Sequence, residues 1–325
     1  MNKTPFLSIC ILTYNRKSTL RAALDAILAQ VEGVDGYEVV VSDNDSQDGT
    51  EAFMTEYLLV HPSVRYYRNE SNVWVSGNVQ KSIERARGEY VAFFSDDDIP
   101  PPGFFQAISE RLHARKPTIL YVDHKLMTDE VTCESIAGLT SSFTKEYEEG
   151  ASYIYEADLG FISALTLRRN EALKFLYEIV PGEDCGAFLE IAFHMALTCK
   201  GPFIYDKTIC VLAGRDEGGA PILIAGCVNI AKLYKTLAAK HLIPQSLVDR
   251  FITRQLLRSV PKNTLHTRSK GMPRWECSVK EMTSCYGKYW PFYVLVLPIY
   301  LIPRWFCRWA YALRNRLKGR LKSIR

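Results

Sequence analysis

The chain has 325 residues, 47% apolar and 23% charged, which supplies one large core or two modest ones and excludes a globally disordered chain. Its net charge of +4 is unevenly spread: Arg304–Arg325 carries eight Lys or Arg and no acid, so residues 1–303 sum to +4 − 8 = −4. Nine Cys without a CxxC pair and six His without HxxH or HxxxH spacing match neither a zinc site nor a disulfide framework, and predict reduced thiols in a cytosolic compartment.

The opening MNKTPFLSIC lacks the apolar stretch of a signal peptide and runs into a strand over Leu7–Leu12. Leu20, Ala23, Leu24, Ile27 and Leu28 then mark one face of a helix. Strands are predicted at Glu38–Val41, Val64–Arg68, Tyr90–Phe94 and Thr118–Val122. Helices are predicted over Glu51–Leu59, around Val75, Val79 and Ile83, and over Phe104–Arg115. This alternation predicts an open α/β sheet, mostly parallel, with helices on both faces. The pattern is lost from His124 to Asp158, which reads as an insertion or loop. A strand is then expected at Phe161–Leu167, a helix at Asp184–Leu197, and two short strands at Phe203–Tyr205 and Ile209–Leu212. Two helices follow over 222–240 and 245–258, and Pro261–Met272 reads as a polar linker.

Ligands of open α/β sheets sit outside the carboxyl ends of the strands. Thr13, Tyr14 and Asn15 follow the first strand, Asp43, Asn44 and Asp45 the second, and Asp96, Asp97 and Asp98 the fourth. Neither GxGxxG nor GxxxxGK[ST] occurs, so dinucleotide and P-loop phosphate cradles are missing. Successive carboxylates offer another route to phosphate. Magnesium and its hard relatives are held by one or two carboxylates together with substrate phosphates. Alternate acids of the triplet would supply metal ligation and a ribose contact.

The blocks LSICILTYNRKSTLRAAL, VVVSDNDSQDGT and GEYVAFFSDDDIPPPGF, in that order and spacing, resemble a family 2 glycosyltransferase of the GT-A fold. The resemblance is firm over about the first 125 residues. It continues more weakly through LGFISALTLRRN and GEDCGAFLEIA, where it is similar to sugar transferases of bacterial O-antigen and capsule assembly, including abequosyltransferase-like proteins. It implies a nucleotide-sugar transferase with a donor half at 1–123 and an acceptor and catalytic half at 124–220; the rest carries no family motif and reads, from its residues, as a helical extension at 221–270 and a tail at 271–325. It assigns Thr13, Tyr14, Asn15, Asp43, Asn44 and Asp97 to the nucleotide, and Asp96 and Asp98 to a divalent metal, Mn2+ or Mg2+. The general base would be an acid opening a later helix, Asp184, with Glu183 and Glu190 in reserve. Two departures stand out. The second acid of the usual pair is Asn44, which leaves the base of the nucleotide open. The usual Arg-Asn pair of the third helix reads Gly77-Asn78, so a diphosphate-binding arginine is missing.

In the tail, Tyr289–Ile302 is apolar or aromatic apart from its prolines and shorter than the roughly 20 residues of a membrane span. Trp305, Phe306, Trp309, Leu313 and Leu317 follow among Arg304, Arg308, Arg314, Arg316, Lys318 and Arg320. That composition predicts a helical segment lying on an anionic membrane surface, with no nucleic-acid partner. The expectation is an inverting, metal-dependent transferase, peripheral on the cytoplasmic face of a bacterial inner membrane, that extends a lipid-linked oligosaccharide in surface polysaccharide assembly. The alternatives are transfer to a polyprenyl phosphate and a non-catalytic sugar-nucleotide-binding membrane protein.

Overall fold

The structure is a computed structural model and describes residues 4–127, 132, 143–157, 159–178, 187–214, 223–271 and 276–322. The chain divides into two compact units, Met1–Glu217 and Gly218–Arg325.

The first unit is built on one eight-stranded sheet: β1 (Leu7–Thr13), β2 (Tyr37–Asp43), β3 (Val64–Arg68), β4 (Tyr90–Ser95), β5 (Ile119–Leu126), β6 (Thr144–Tyr147), β7 (Leu165–Arg168) and β8 (Phe203–Ala213), in the order β3-β2-β1-β4-β7-β5-β8-β6. β1 and β4 are continuous apolar runs because both of their faces are covered. Helix α1 (Lys17–Val31) buries the stripe Leu20, Ala23, Leu24, Ile27, Leu28 and Val31. Helices α2 (Thr50–Val60), α3 (Trp74–Arg85) and α4 (Phe104–Arg115) complete the alternation.

β1 to β4 are parallel, as are β5 and β8, whereas β7 runs antiparallel between β4 and β5, and β6 antiparallel to β8. The sheet is therefore mixed. The two strands expected around Asp206 are one strand, β8, with a bulge. Val122 pairs with Asp206 and Asp123 with Cys210, so Lys207–Ile209 are looped out. Asp206 holds the bulge, accepting from Thr208 N and Oγ1 (2.9 and 2.6 Å) and pairing with Arg111 (2.6 Å). Inside the stretch expected to be irregular lie β6 and a helix, Gly150–Glu156. Gly150 is required there, because a Cβ would meet the Ala196 carbonyl oxygen at 1.6 Å.

In the second unit the helix Gln245–Lys270 runs through Pro261 and replaces the expected linker. Proline removes one N–H, and the carbonyl it leaves free is that of Leu257, an exposed residue, while Val260 and Thr264 remain buried on the inner face. Residues of the tail pack on this helix. Phe292, Val296 and Cys307 are buried, Tyr311 stacks on His266 at 4.9 Å, and Arg308 donates to the Ser269 carbonyl at 3.2 Å. Among the described residues no helix is long and apolar enough to cross a membrane.

Candidate active site

The carboxyl ends of β1, β2 and β4 lie side by side, with Thr13 paired to Asp43 and Leu12 to Ser95. This brings Thr13, Tyr14, Asn15, Asp43, Asn44 and Asp96–Asp98 to one edge of the sheet. Asn15 takes a left-handed φ of 53° and is tied down twice: its N–H donates to Ser46 Oγ (2.8 Å) and its Oδ1 accepts from Gln47 N (2.7 Å). Asp43 is buried and accepts from Ser46 N (2.9 Å), Ser46 Oγ (2.6 Å) and Tyr66 Oη (2.6 Å).

Asn44 spends its whole amide on protein. Nδ2 donates to Asn72 Oδ1 (2.8 Å) and the Trp74 carbonyl (3.1 Å), and Oδ1 accepts from Asn69 Nδ2 (3.1 Å) and Val73 N (3.0 Å). Those four bonds exhaust two donors and two lone pairs. The loop they hold explains the missing arginine: a Cβ on Gly77 would meet Val73 Cβ at 2.8 Å. Asn78 keeps a structural role, linking α3 to the Ser42 hydroxyl (2.6 Å) and carbonyl (2.9 Å).

The acid triplet is held from three sides. Asp96 is buried beside Thr13 and Tyr14, and Arg16 reaches over it (3.6 Å) to pair with Asp97 at 2.5 Å. Asp97 also accepts from Ser95 Oγ at 2.6 Å and is the more open of the three. Asp98 is buried, accepts from the Ser163 hydroxyl and takes the Gly214 N–H at 2.8 Å. Ser163 Oγ accepts from Ser95 N at 2.8 Å, so a short 3-10 turn, Ile162–Ala164, clamps the end of β4.

Burial pushes the carboxyls of Asp96 and Asp98 up to about 7. The Thr13 hydroxyl, the Arg16 charge and the Tyr14 N–H oppose this at Asp96, although Thr13 Oγ1 makes no well-formed hydrogen bond. At Asp98, Ser163 and Gly214 oppose it, and the neighbouring acids add to it. Two buried carboxylates next to a more open third keep their protons up to about neutral pH, a cation beside them would favour the charged forms, and their oxygens are the kind that ligate a hard divalent ion.

Glu183 and Asp184 lie outside the described residues. Glu190 is in the first turn of the helix Ala187–Thr198 and half-buried. Three residues of this site had no sequence signal of their own: Arg16, Ser163 and Gly214. Ser163 is one hydroxyl in an apolar run, and Gly214 closes another. A Cβ at Gly214 would meet the Asp97 carbonyl oxygen at 2.3 Å, so only glycine lets the end of β8 approach the triplet.

Known proteins share this architecture. Over 93 residues the chain is 36% identical to the abequosyltransferase RfbV of Salmonella typhimurium, 28% of either chain. Over 95 residues it is 30% identical to the GalNAc(5)-diNAcBac-PP-undecaprenol beta-1,3-glucosyltransferase of Campylobacter jejuni, 29% of this chain and 30% of that one. The chain thus spans about a third of the length of the curated relatives it matches. Among solved structures, TarS 1-349 of S. aureus in complex with UDP-GlcNAc superposes with a TM-score of 0.60 at 14% identity, over 86% of this chain and 81% of that one. The mannosyltransferase PcManGT of Pyrobaculum calidifontis, in complex with GDP-Man and Mn2+, gives 0.55 at 16% identity, over 97% and 87%. These likenesses make the fold GT-A. The profile of glycosyl transferase family 2 matches residues 8–174, more than half of the chain, and the protein belongs to that family.

Proposed function

We propose that the protein transfers a sugar, with inversion, from a nucleotide-sugar donor to a saccharide acceptor on a lipid carrier, in the assembly of a bacterial surface polysaccharide. The observation that carries this is the acid triplet at the end of β4: Asp96 is buried beside Thr13 and Tyr14 at the end of β1, and Asp98 is buried against Ser163 and Gly214, on the sheet edge where β2 ends in Asp43. TarS is described with UDP-GlcNAc and PcManGT with GDP-Man and Mn2+, and the Campylobacter relative is named for an undecaprenol-linked acceptor. These names support the donor, the metal and the acceptor class.

Asp96 and Asp98 would hold a divalent cation, Mn2+ or Mg2+, whose charge stabilises the departing diphosphate. Thr13, Tyr14, Asn15 and Asp43 line the nucleoside side, and Asp97 faces the ribose. Arg16 is the one cation seen at the triplet among the described residues, and it would supply the diphosphate contact that Gly77 lacks. Asp184 is the base that removes the acceptor proton, with Glu183 and Glu190 as the alternatives. The test is a thermal-shift screen of nucleoside diphosphates with and without Mn2+. Stabilisation by one of them that requires the metal is expected, and no response to any of them rejects the reading.

The raised carboxyls give this a pH signature. Both have folded values of about 7 against 3.8 when free. Their contribution to the metal-free fold is complete below about pH 4 and lost as pH rises through about 7. Metal uptake must expel those protons, so Mn2+ should bind more tightly at about pH 8 than at about pH 6 and release protons as it does. Equal thermal stabilisation by Mn2+ at both pH values would contradict the assignment. A steric signature is also expected. Gly214→Ala should push β8 off the triplet and lower turnover by about a hundredfold or more, with little loss of helix or sheet by circular dichroism. Wild-type rates in that variant would remove Gly214 from the site.

The second unit is the membrane-docking element. Trp290 and Leu301 are 71% and 78% exposed, Trp305 and Trp309 are 68% and 56%, and Phe306 and Leu313 share the outer side of the final helix. Such a ridge fits the interface of a bilayer, at the cytoplasmic face of the inner membrane where a lipid-linked acceptor would be extended.

A further inference from the structure

Resting on the donor reading above, we propose that Trp74 stacks on the nucleobase of the nucleoside diphosphate and is the main base-binding residue of this chain. The usual means of reading a base from the end of β2 is an acid or amide that bonds the base edge. Here Asn44 has nothing left for a base edge, and Asp43 keeps one of about four lone-pair sites. All four hydrogen-bonding positions of Asn44 are filled by Asn69, Asn72, Val73 and Trp74, and Asp43 already accepts three bonds.

What Asn44 holds in return is the backbone of Trp74. Its amide fixes the Trp74 carbonyl (3.1 Å), and Asn72 Oδ1 fixes the Trp74 N–H (2.8 Å). The residue sits at φ 60°, a left-handed backbone that a bulky side chain rarely adopts. Val73 packs against Gly77, so the loop cannot relax toward the helix. Three devices therefore converge on placing one large ring. The indole is 46% exposed and has neither hydrogen bond nor ring contact among the described residues. Asn44 N donates to the Thr13 carbonyl at 3.0 Å, so Asn44 is also bonded to the strand end that exposed Tyr14 follows. Asn44, whose amide has no bonds left to give, is thus bonded to the backbone of one open aromatic residue, Trp74, and to the residue before another, Tyr14. A flat, edge-blind ligand face is what such side chains recognise.

The test compares wild type, W74F, W74G and W74N by calorimetric titration with the nucleoside diphosphate that stabilises wild type most, and with inorganic pyrophosphate, both with Mn2+. Glycine and asparagine accept φ 60° without strain, so both variants should fold at least as well as wild type. W74G and W74N should lose nucleotide affinity by about five- to a hundredfold. They should leave pyrophosphate affinity unchanged, and W74F should keep most of the nucleotide affinity. Wild-type nucleotide affinity in both W74G and W74N overturns the proposal, as does an equal loss toward pyrophosphate, which would make the residue a scaffold for the diphosphate side. A wild-type protein that binds no nucleoside diphosphate overturns the donor reading instead.

Discussion

Asp98→Asn is expected to lower transfer by about two to three decades, the scale seen when one preorganised electrostatic contact to a developing charge is removed. The same change should raise the melting temperature of the metal-free protein at about pH 8. Asp98 is buried with its carboxyl pushed up to about 7, so at that pH the wild type carries an unfavourable buried charge that asparagine does not. The amide keeps the oxygen that accepts from Gly214 N, and the Ser163 hydroxyl rotates to accept from the new NH2. A variant that is more stable, inactive and no longer stabilised by Mn2+ is therefore the expected result. Asp97→Asn should cost less, since Asp97 is more open and already paired with Arg16. Near-wild-type turnover with normal metal dependence in Asp98→Asn would reject Asp98 as a ligand.

The second large effect is expected at the exposed ridge. Replacing Trp290, Leu301, Trp305 and Trp309 together by serine should move the protein from vesicles into solution. Each such side chain contributes on the order of 1.5–3 kcal/mol when fully buried in apolar surroundings, so even half-burial of four side chains changes the partition by about two decades or more. Substitution is a cleaner experiment than deletion, because Phe292, Val296 and Cys307 of the same segment are buried against the second unit's own helices. Salt should extract the wild type poorly. Arg304 pairs with Glu276 at 3.0 Å and Arg308 is turned to the Ser269 carbonyl, so part of the basic tail already has partners inside the protein. Transfer to a water-soluble acceptor should survive the four substitutions, while transfer to a lipid-linked acceptor in vesicles should collapse. Unchanged vesicle binding by the substituted protein would return the ridge to an ordinary surface.

The strand ends were legible in the sequence because central parallel strands are continuous apolar runs, and the residue that breaks each run is at the ligand edge by construction. That is why Thr13, Asp43 and Asp96 could be placed together from the chain alone. The elements that escaped have weaker local signals. The sequence predicts a strand over Phe161–Leu167, and β7 occupies Leu165–Arg168; what escaped is its antiparallel direction, which is set by neighbours distant in sequence. The helix through Pro261 contradicts the local rule, and the carbonyl it frees belongs to an exposed residue, Leu257. Ser163 and Gly214 belong to the site only through contacts made across 65 and 116 residues of chain. Asn44 is the most instructive residue. Its type and position match a base contact, but only the coordinates reveal that its amide is already saturated by the loop around Trp74.

The narrow β7 joint also has a consequence for synthesis. β1 to β4 are complete once Ser95 has emerged, yet among the described residues the β4 edge facing the rest of the sheet is met by residues 163–168: Thr166–Arg168 pair with Tyr90–Ala92, and Ser163 accepts from Ser95 N. At about 5–20 residues per second, ribosomes take roughly 4–15 s to supply the missing partner. Throughout that interval the nascent chain presents the open, aromatic edge YVAFFS, which makes this stretch the place where chaperone engagement or misassembly during translation would concentrate.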